Sequence, residues 1–336
     1  MPTTFSRRGT LAALMAAISV AVAPMSAPMA AAASLKPVTI CQYGDLLIYL
    51  PLYIAQDQKF FEREGIKVHF INGGGDDKTF AALAAGSAQF GVSDPTFTAI
   101  AREKGQKAVV IGTVVAGATY WGVTWDKNIK PTRTAAGLKN LRIGTYEAPS
   151  TNYALMAKTL KDQKALVGSA SIVQGSYGGA LLAMVKAGRA DVAMELEPAV
   201  STAVKQGAHV VFSYPEAYGP FLLTGLYTLE SYRNANRGTT QAVVNALELA
   251  MRYAHANPEG AIAIARRKFP EVPPDVIRAA VTRMIAESTL PTHVSMDPKG
   301  WANAVNVRIA LGDLKNPAVA GQTLDPTFAT TALKMR

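Results

Sequence analysis

The sequence contains a single cysteine, Cys41, in 336 residues. One cysteine excludes a disulfide framework within the chain, and no spacing of cysteine or histidine resembles a zinc site. None of the four histidines lies near a candidate nucleophile in a recognisable motif: they are His69, His209, His255 and His293. We therefore expect no catalytic residue, no metal site and no cofactor.

Charged residues are also few, at 17 %, whereas hydrophobic residues make up 49 % of the chain. That balance is typical of a globular protein. The net charge is +10, but the lysines and arginines are scattered, and no basic–aromatic motif of a nucleic-acid-binding protein is present. We expect a monomer with a basic surface and no nucleic-acid partner.

The sequence has no apolar run of the roughly 20 residues that a transmembrane helix needs. Its N-terminal apolar stretch covers only residues 11–22, follows Arg7 and Arg8, and precedes small residues at 29–33. This order predicts a cleaved secretory signal peptide over residues 1–33, with the mature chain beginning near Ser34. The arginine pair resembles a twin-arginine signal, whose fuller pattern the flanking residues do not follow. We expect export to the periplasm, with the twin-arginine route as one alternative.

The first half of the chain repeats itself at matched spacing. Ile71 and Gly86 are 15 residues apart, as are Val173 and Gly188, and each pair encloses a polar loop followed by an apolar run. Two successive units of strand, loop and helix predict two similar α/β lobes with a cleft between them. Clefts between lobes are common ligand sites.

Strands alternate with helical patterns along most of the chain, which predicts mostly parallel sheets and an α/β fold. We expect a first lobe of residues 34–122 and 226–336 and a second lobe of residues 123–225. Strand-like segments at 120–125 and 222–228 are predicted to connect the lobes. The helical patterns after residue 239 are expected to pack on the first lobe.

Several segments carry a resemblance to a known family: residues 50–56, 60–66, 82–86, 91–93, 138–144, 187–191, 197–198 and 256–258. In these segments the chain resembles periplasmic solute-binding proteins of ABC importers. The branch is the one with sulfonate-, nitrate-, taurine- and thiamine-pyrimidine-binding members. The resemblance implies a type II fold of two Rossmann-like lobes joined by two crossover segments. It also implies that the protein closes on a solute and delivers it to a permease with its ATPase.

Ligands of parallel α/β sheets lie beyond the carboxyl ends of the strands. The loops predicted at those ends supply the candidate ligand-binding residues. They are Tyr43, Asp45, Leu46, Gly73, Gly74, Gly75, Ser93, Asp94, Trp121, Tyr146, Ser150, Thr151, Asn152, Tyr177 and Glu195.

These candidates point to two kinds of solute. Glycine N–H groups at 73–75 and a following helix N-terminus favour an anion. Glu195 occupies the position of Ser93 in the repeat, and a carboxylate in an apolar strand is costly unless it is paired. It is expected to accept a hydrogen bond from an amine or amide of the solute, or to pair with an internal cation. The aromatic residues are expected to stack on a planar ring or to pack internally. Ser150, Thr151 and Asn152 are expected to donate to the solute or to cap the helix that they begin.

The sequence thus predicts a binding protein rather than an enzyme, with a planar, nitrogen-bearing, pyrimidine-like solute. The alternative solute is a sulfonate, nitrate or carboxylate. The alternative of another class is an enzyme of pyrimidine biosynthesis on the same fold.

Overall fold

The structure, a computed structural model, describes residues 34–335. The predicted signal peptide lies outside the described residues. No helix within residues 34–335 combines the length and apolarity that crossing a membrane requires.

The strands of the described chain are β1 (Lys36–Gln42), β2 (Ile66–Asn72), β3 (Phe90–Ser93), β4 (Ala108–Ala116), β5 (Trp121–Thr124), β6 (Arg142–Tyr146), β7 (Ser171–Gly175), β8 (Val192–Glu195), β9 (His209–Ser213) and β10 (Leu222–Leu229). The helices are α1 (Leu50–Asp57), α2 (Phe60–Arg63), α3 (Asp76–Ala84), α4 (Thr96–Glu103), α5 (Thr151–Asp162), α6 (Lys164–Val167), α7 (Ala180–Lys186), α8 (Ala199–Lys205), α9 (Tyr214–Tyr218), α10 (Glu230–Ala235), α11 (Arg237–Ala256), α12 (Pro258–Lys268), α13 (Pro274–Ala286), α14 (Pro298–Leu311) and α15 (Thr327–Ala332).

The strands form two five-stranded sheets with the same internal arrangement. In the first lobe the order is β2-β1-β3-β10-β4, and in the second it is β7-β6-β8-β5-β9. The first three strands of each order are parallel, and the fourth is antiparallel to both of its neighbours. The predicted pair of similar α/β lobes is therefore confirmed.

The matched glycines of the repeat end equivalent helices. Gly86 follows α3 with φ at 77°, and Gly188 follows α7 with φ at 65°. This left-handed conformation favours glycine because it has no Cβ, and it closes a helix so that the next strand can begin. The repeated 15-residue spacing in the sequence therefore corresponds to one helix of similar length in each lobe, between two strands.

The fourth strand of each sheet marks where the chain changes lobe. β5 pairs with β8 and β9 of the second lobe, and β10 pairs with β3 and β4 of the first. The predicted boundaries at 122/123 and 225/226 fall inside these two strands. Each strand is paired along its length within one sheet, so neither strand crosses between the lobes. The connections instead lie before Trp121 and between β9 and β10.

The C-terminal helices divide between the lobes. α11 packs on α1 and α2 of the first lobe, but α13 also packs on α8 and α14 on α5, both in the second lobe. Arg283 of α13 bonds Glu197 at 2.8 Å, and Lys161 of α5 donates to the carbonyl of Ala310 at 2.7 Å. The expectation that all these helices pack on the first lobe was wrong for α13 and α14, whose polar side chains find partners on both.

Candidate ligand-binding cleft

A cavity lies between the lobes where strands of both sheets end. Its empty volume is about 410 Å³, of which only about 30 Å³ is open to the centre of a water molecule. The two lobes are therefore nearly closed on it. Its lining residues are Tyr43, Leu46, Ile48, Tyr49, Asp76, Asp94, Tyr120, Tyr146, Ser150, Thr151, Tyr177, Leu196, Leu223 and Thr224. We call this space the inner cavity.

A wider outer cavity, with about 470 Å³ open to water, continues the inner one. The two share Tyr43, Asp76, Tyr146, Ser150 and Tyr177. The outer volume lies within the range of roughly 300–1,000 Å³ that small-molecule pockets occupy. Together the two cavities form a cleft with a narrow base and a mouth large enough for a small organic molecule.

Tyrosines supply most of the aromatic surface of the inner cavity. Tyr120 and Tyr146 meet edge to face with ring centres 6.3 Å apart, and Tyr146 and Tyr177 do so at 5.5 Å. Tyr177 is the outermost and is 45 % exposed. Burial raises the pKa of Tyr43 and of Tyr177 to about 12, so both hydroxyls are neutral at physiological pH. These rings offer faces for stacking and neutral hydroxyls for hydrogen bonds.

Tyr120 lines the inner cavity, whereas the predicted residue was its neighbour Trp121. Trp121 turns the other way, is fully buried, and donates through its indole N–H to Glu287 at 2.7 Å. Successive side chains of an extended segment face opposite sides, so the interpretation was wrong by one residue.

Glu195 lies directly behind Tyr146. The Tyr146 hydroxyl donates to Glu195 Oε2 at 2.5 Å, and Glu195 is only 1 % exposed. Its other oxygen, Oε1, is buried and has no partner among residues 34–335. Burial raises the pKa of Glu195 to about 7. Glu195 therefore orients Tyr146, and in this closed conformation the ring separates its carboxyl group from the cavity.

An ion pair closes the base of the cleft. Asp94 Oδ2 accepts from Arg308 Nη2 at 2.7 Å, and the two side chains are 4 % and 1 % exposed. The same oxygen accepts a short bond from the Thr151 hydroxyl in the second lobe. Arg308 also donates to the carbonyl of Pro149 at 2.9 Å. We call Asp94, Arg308, Thr151 and Pro149 the interlobe clasp, because α14 joins both lobes through these contacts.

No local pattern in the sequence indicates a role for Arg308. It lies on a helix 214 residues after its partner Asp94, whereas the predicted binding residues lie at the ends of strands. Its charge is balanced by Asp94, and its remaining N–H groups donate to Thr96, Thr151, Pro149 and Asp313. The guanidinium is therefore fully engaged within the protein.

Asp76 is a second acidic residue of the cleft and was not among the predicted binding residues. It begins α3, lines both the inner and the outer cavity, and accepts a hydrogen bond from the backbone N–H of Asp94 at 2.9 Å. Burial, followed by the negative charge of Asp94, raises the pKa of Asp76 to about 7. Aspartate is common at the first position of a helix, so the sequence alone did not indicate that Asp76 faces the cleft.

Two of the three N–H groups of the glycine loop are bonded within the protein. Gly74 and Gly75 line the outer cavity. The backbone N–H groups of Gly73 and Gly74 donate to the carbonyls of Gln42 and Tyr43, both at 2.8 Å. These two N–H groups are therefore already engaged, and the expectation that they favour an anion loses its support.

The remaining predicted residues divide into two groups. Leu46, Ser150 and Thr151 line the inner cavity, and Ser150 also caps α5 by accepting from the N–H of Tyr153 at 3.3 Å. Asp45 and Ser93 lie outside the lining: Asp45 pairs with Lys268 at 3.0 Å, and the Ser93 hydroxyl bonds that of Tyr227 at 2.7 Å.

Asn152 is also outside the lining. It accepts from the N–H of Tyr146 at 3.1 Å and donates to the carbonyl of Met194 at 2.9 Å, which ties β6 to β8. Within the described chain, no three His, Cys, Asp or Glu side chains form a group that could hold a metal ion. The residues that reach the cleft are thus suited to contact and hydrogen bonding.

Comparisons with known proteins agree on family and fold. The model of a family described as NMT1/THI5 like matches residues 48–261. YtlA of Bacillus subtilis (strain 168) is 22 % identical over 308 residues, covering 88 % of this chain and 90 % of YtlA.

Two solved structures share the fold. One, from Bordetella bronchiseptica RB50, has a TM-score of 0.71 and 21 % identity, covering 88 % of this chain and 96 % of its own. The other is the alkanesulfonate-binding protein SsuA from Xanthomonas axonopodis pv. citri bound to MOPS. It has a TM-score of 0.68 and 17 % identity, covering 88 % of this chain and all of its own (100 %). The two lobes described above thus have the architecture of periplasmic binding proteins.

Proposed function

Since the chain belongs to the NMT1/THI5-like family, we propose that it is an extracytoplasmic solute-binding protein of an ABC importer. In this role it captures a small organic solute between its lobes and presents the closed complex to a permease. The fold, the interlobe cleft and the predicted signal peptide support the proposal. In this proposal its task is binding rather than catalysis.

The solute that this cleft favours is planar and bears nitrogen donors. The observation that carries this choice is the charge of the inner cavity: the carboxyl groups of its lining are Asp76 and Asp94, and Arg308 of the interlobe clasp is engaged by Asp94. Such a lining repels a sulfonate, nitrate or carboxylate and accepts hydrogen bonds from amines or amides. The tyrosine rings add flat surfaces for a ring-shaped solute.

A thermal-shift screen tests the ligand class. Planar aminoheterocycles such as aminopyrimidines are expected to raise the melting temperature, whereas ethanesulfonate, nitrate and acetate are expected to leave it unchanged. A ligand at about 100 times its Kd adds about 2.7 kcal/mol to stability, which is readily detected. If only the anions raised the melting temperature, the solute would be an anion rather than a nitrogen-bearing ring. Conversion of a bound solute into product would favour an enzyme.

Tyr177 offers a sharper test at the mouth of the cleft. Tyr177→Ala is expected to weaken binding of a planar solute by about 1 kcal/mol, the scale of one aromatic contact. Isothermal titration calorimetry measures the change. Leu166→Ala is the matched control, because Leu166 is also an exposed hydrophobic residue, at 52 %, and lies outside the cleft. Equal losses in both variants would argue against a contact with Tyr177.

Solute entry requires the lobes to separate, because so little of the inner cavity is open to water. We expect hinge motion about the two connections that precede β5 and β10. Small-angle scattering should show a smaller radius of gyration at saturating solute than without it. An identical radius in both states would indicate a cleft that stays closed.

A further inference from the structure

The two carboxyl groups that line the inner cavity, Asp76 and Asp94, differ in whether a cation of the protein pairs with them. Asp94 is paired with Arg308 and receives further bonds from Thr96 and Thr151. Asp76 receives a hydrogen bond from a backbone N–H, and no cation within residues 34–335 forms an ion pair with it. Of the two carboxyl groups that line the inner cavity, Asp76 is therefore the one with no ion-pair partner among residues 34–335.

The surroundings of Asp76 do not supply the missing cation. The charged groups that face it are Asp94, Asp77, Glu147, Arg308 and Lys78. Three of these five are acidic, and Arg308 is held by Asp94. Lys78 is an exposed side chain at the outer cavity. The neutral hydroxyls of Tyr43, Tyr49 and Tyr120 complete the enclosure.

We propose that Asp76 determines the specificity of this cleft by pairing with a positively charged nitrogen of the solute. The ligand is then a compact planar cation, such as an amidinium, a ring ammonium or a protonated amine. This inference rests on the proposed function and narrows its ligand class from nitrogen-bearing to cationic.

Two features of the cleft suit such a solute. Asp76 is half-buried, and a cation beside it would neutralise the carboxylate and fill the adjacent space. The surrounding tyrosine rings also attract a cation through their negative faces. A neutral solute of the same shape can stack on the tyrosine rings but supplies no positive charge to pair with the carboxylate of Asp76.

The proposal predicts a characteristic pH dependence. The pKa of Asp76 is raised to about 7, chiefly by burial and then by Asp94. A cation binds the ionised carboxylate, and ionisation increases as the pH rises through that value. Affinity for a permanently cationic solute is therefore expected to rise by about tenfold between pH 6 and pH 8.

Three probes of one shape and different charge test the inference: benzamidine is a cation, benzamide is neutral and benzoate is an anion. Calorimetric titration of the full mature chain at pH 8 should give at least about tenfold tighter binding of benzamidine than of benzamide, with benzoate weakest. Asp76→Asn should abolish the preference for benzamidine and its pH dependence. This variant keeps the oxygen that accepts from the N–H of Asp94, and circular dichroism and melting verify its fold.

Asp45→Asn is the matched control, because it removes a carboxylate of the first lobe that lines neither cavity. It should keep the preference. Equal binding of benzamidine and benzamide, unaffected by Asp76→Asn, would overturn the role of Asp76 and leave the nitrogenous ligand class standing. Preferential binding of benzoate, or binding of none of the three, would overturn that ligand class as well.

Discussion

Replacing Arg308 by methionine is expected to lower the free energy of unfolding by about 3–5 kcal/mol. The reason is the interlobe clasp: without the guanidinium, Asp94 remains as a buried carboxylate, 4 % exposed, with no cation beside it. Removing one partner of a buried ion pair costs far more than the pair itself contributes. Urea denaturation at neutral pH, followed by circular dichroism, measures the change.

A second substitution separates the charge effect from lost packing. Asp94→Asn combined with Arg308→Met removes both charges and should recover a large part of the lost stability. Lys161→Met is the surface control, because Lys161 also joins α5 to α14 but is exposed and donates only to a carbonyl. It should cost well under about 1 kcal/mol. A loss for Arg308→Met as small as that of Lys161→Met would contradict the clasp.

Replacing Glu195 by glutamine is expected to stabilise the protein at pH 8 by up to about 3 kcal/mol. Burial raises the pKa of Glu195 from 4.5 to about 7 in the folded state. The folded protein therefore holds this proton more tightly than the unfolded chain does. Wild-type stability is complete for this group below about pH 4.5 and declines as the pH rises towards 7. Glutamine does not titrate, and it can still accept from the hydroxyl of Tyr146.

Denaturation curves at pH 4.5 and pH 8 test this result. The two proteins should differ little at pH 4.5, and the variant should be the more stable at pH 8. Glu271→Gln, a substitution at an exposed glutamate, is the control and should change neither value by more than about 0.5 kcal/mol. A variant less stable than wild type at pH 8 would indicate that the carboxylate has a stabilising partner when ionised.

Features of the fold that depend on local sequence were predicted well. Gly86 and Gly188 end equivalent helices, and the 15-residue spacing before each reflects one strand-to-helix unit. Hydrophobic pattern and glycine position are encoded over a few residues, so the two lobes follow from them. Tyr43, Tyr146 and Tyr177 were also found in the cleft, because each lies at the carboxyl end of a parallel strand.

Features that depend on distant parts of the chain were missed. Arg308 reaches the cleft from α14, and no local pattern distinguishes it from an ordinary helical arginine. Trp121 was preferred to Tyr120 because the side of an extended segment that faces a cavity is set by tertiary packing. Tertiary packing also determines which carboxyl group faces the cleft. Only the assembled lobes place Asp76 in the cleft and Glu195 behind Tyr146.

The packing of α13 and α14 on both lobes has a consequence for protein engineering. Residues 121–213 form a complete sheet whose first and last strands, β5 and β9, are adjacent, which suggests a module that could be cut out or exchanged. Yet α14 covers α5 and α13 covers α8, and both covering helices lie far beyond residue 213 in the sequence. A transplanted second lobe would expose those two helix faces to solvent. Chimaeras with altered selectivity should therefore exchange residues 274–311 together with the second lobe.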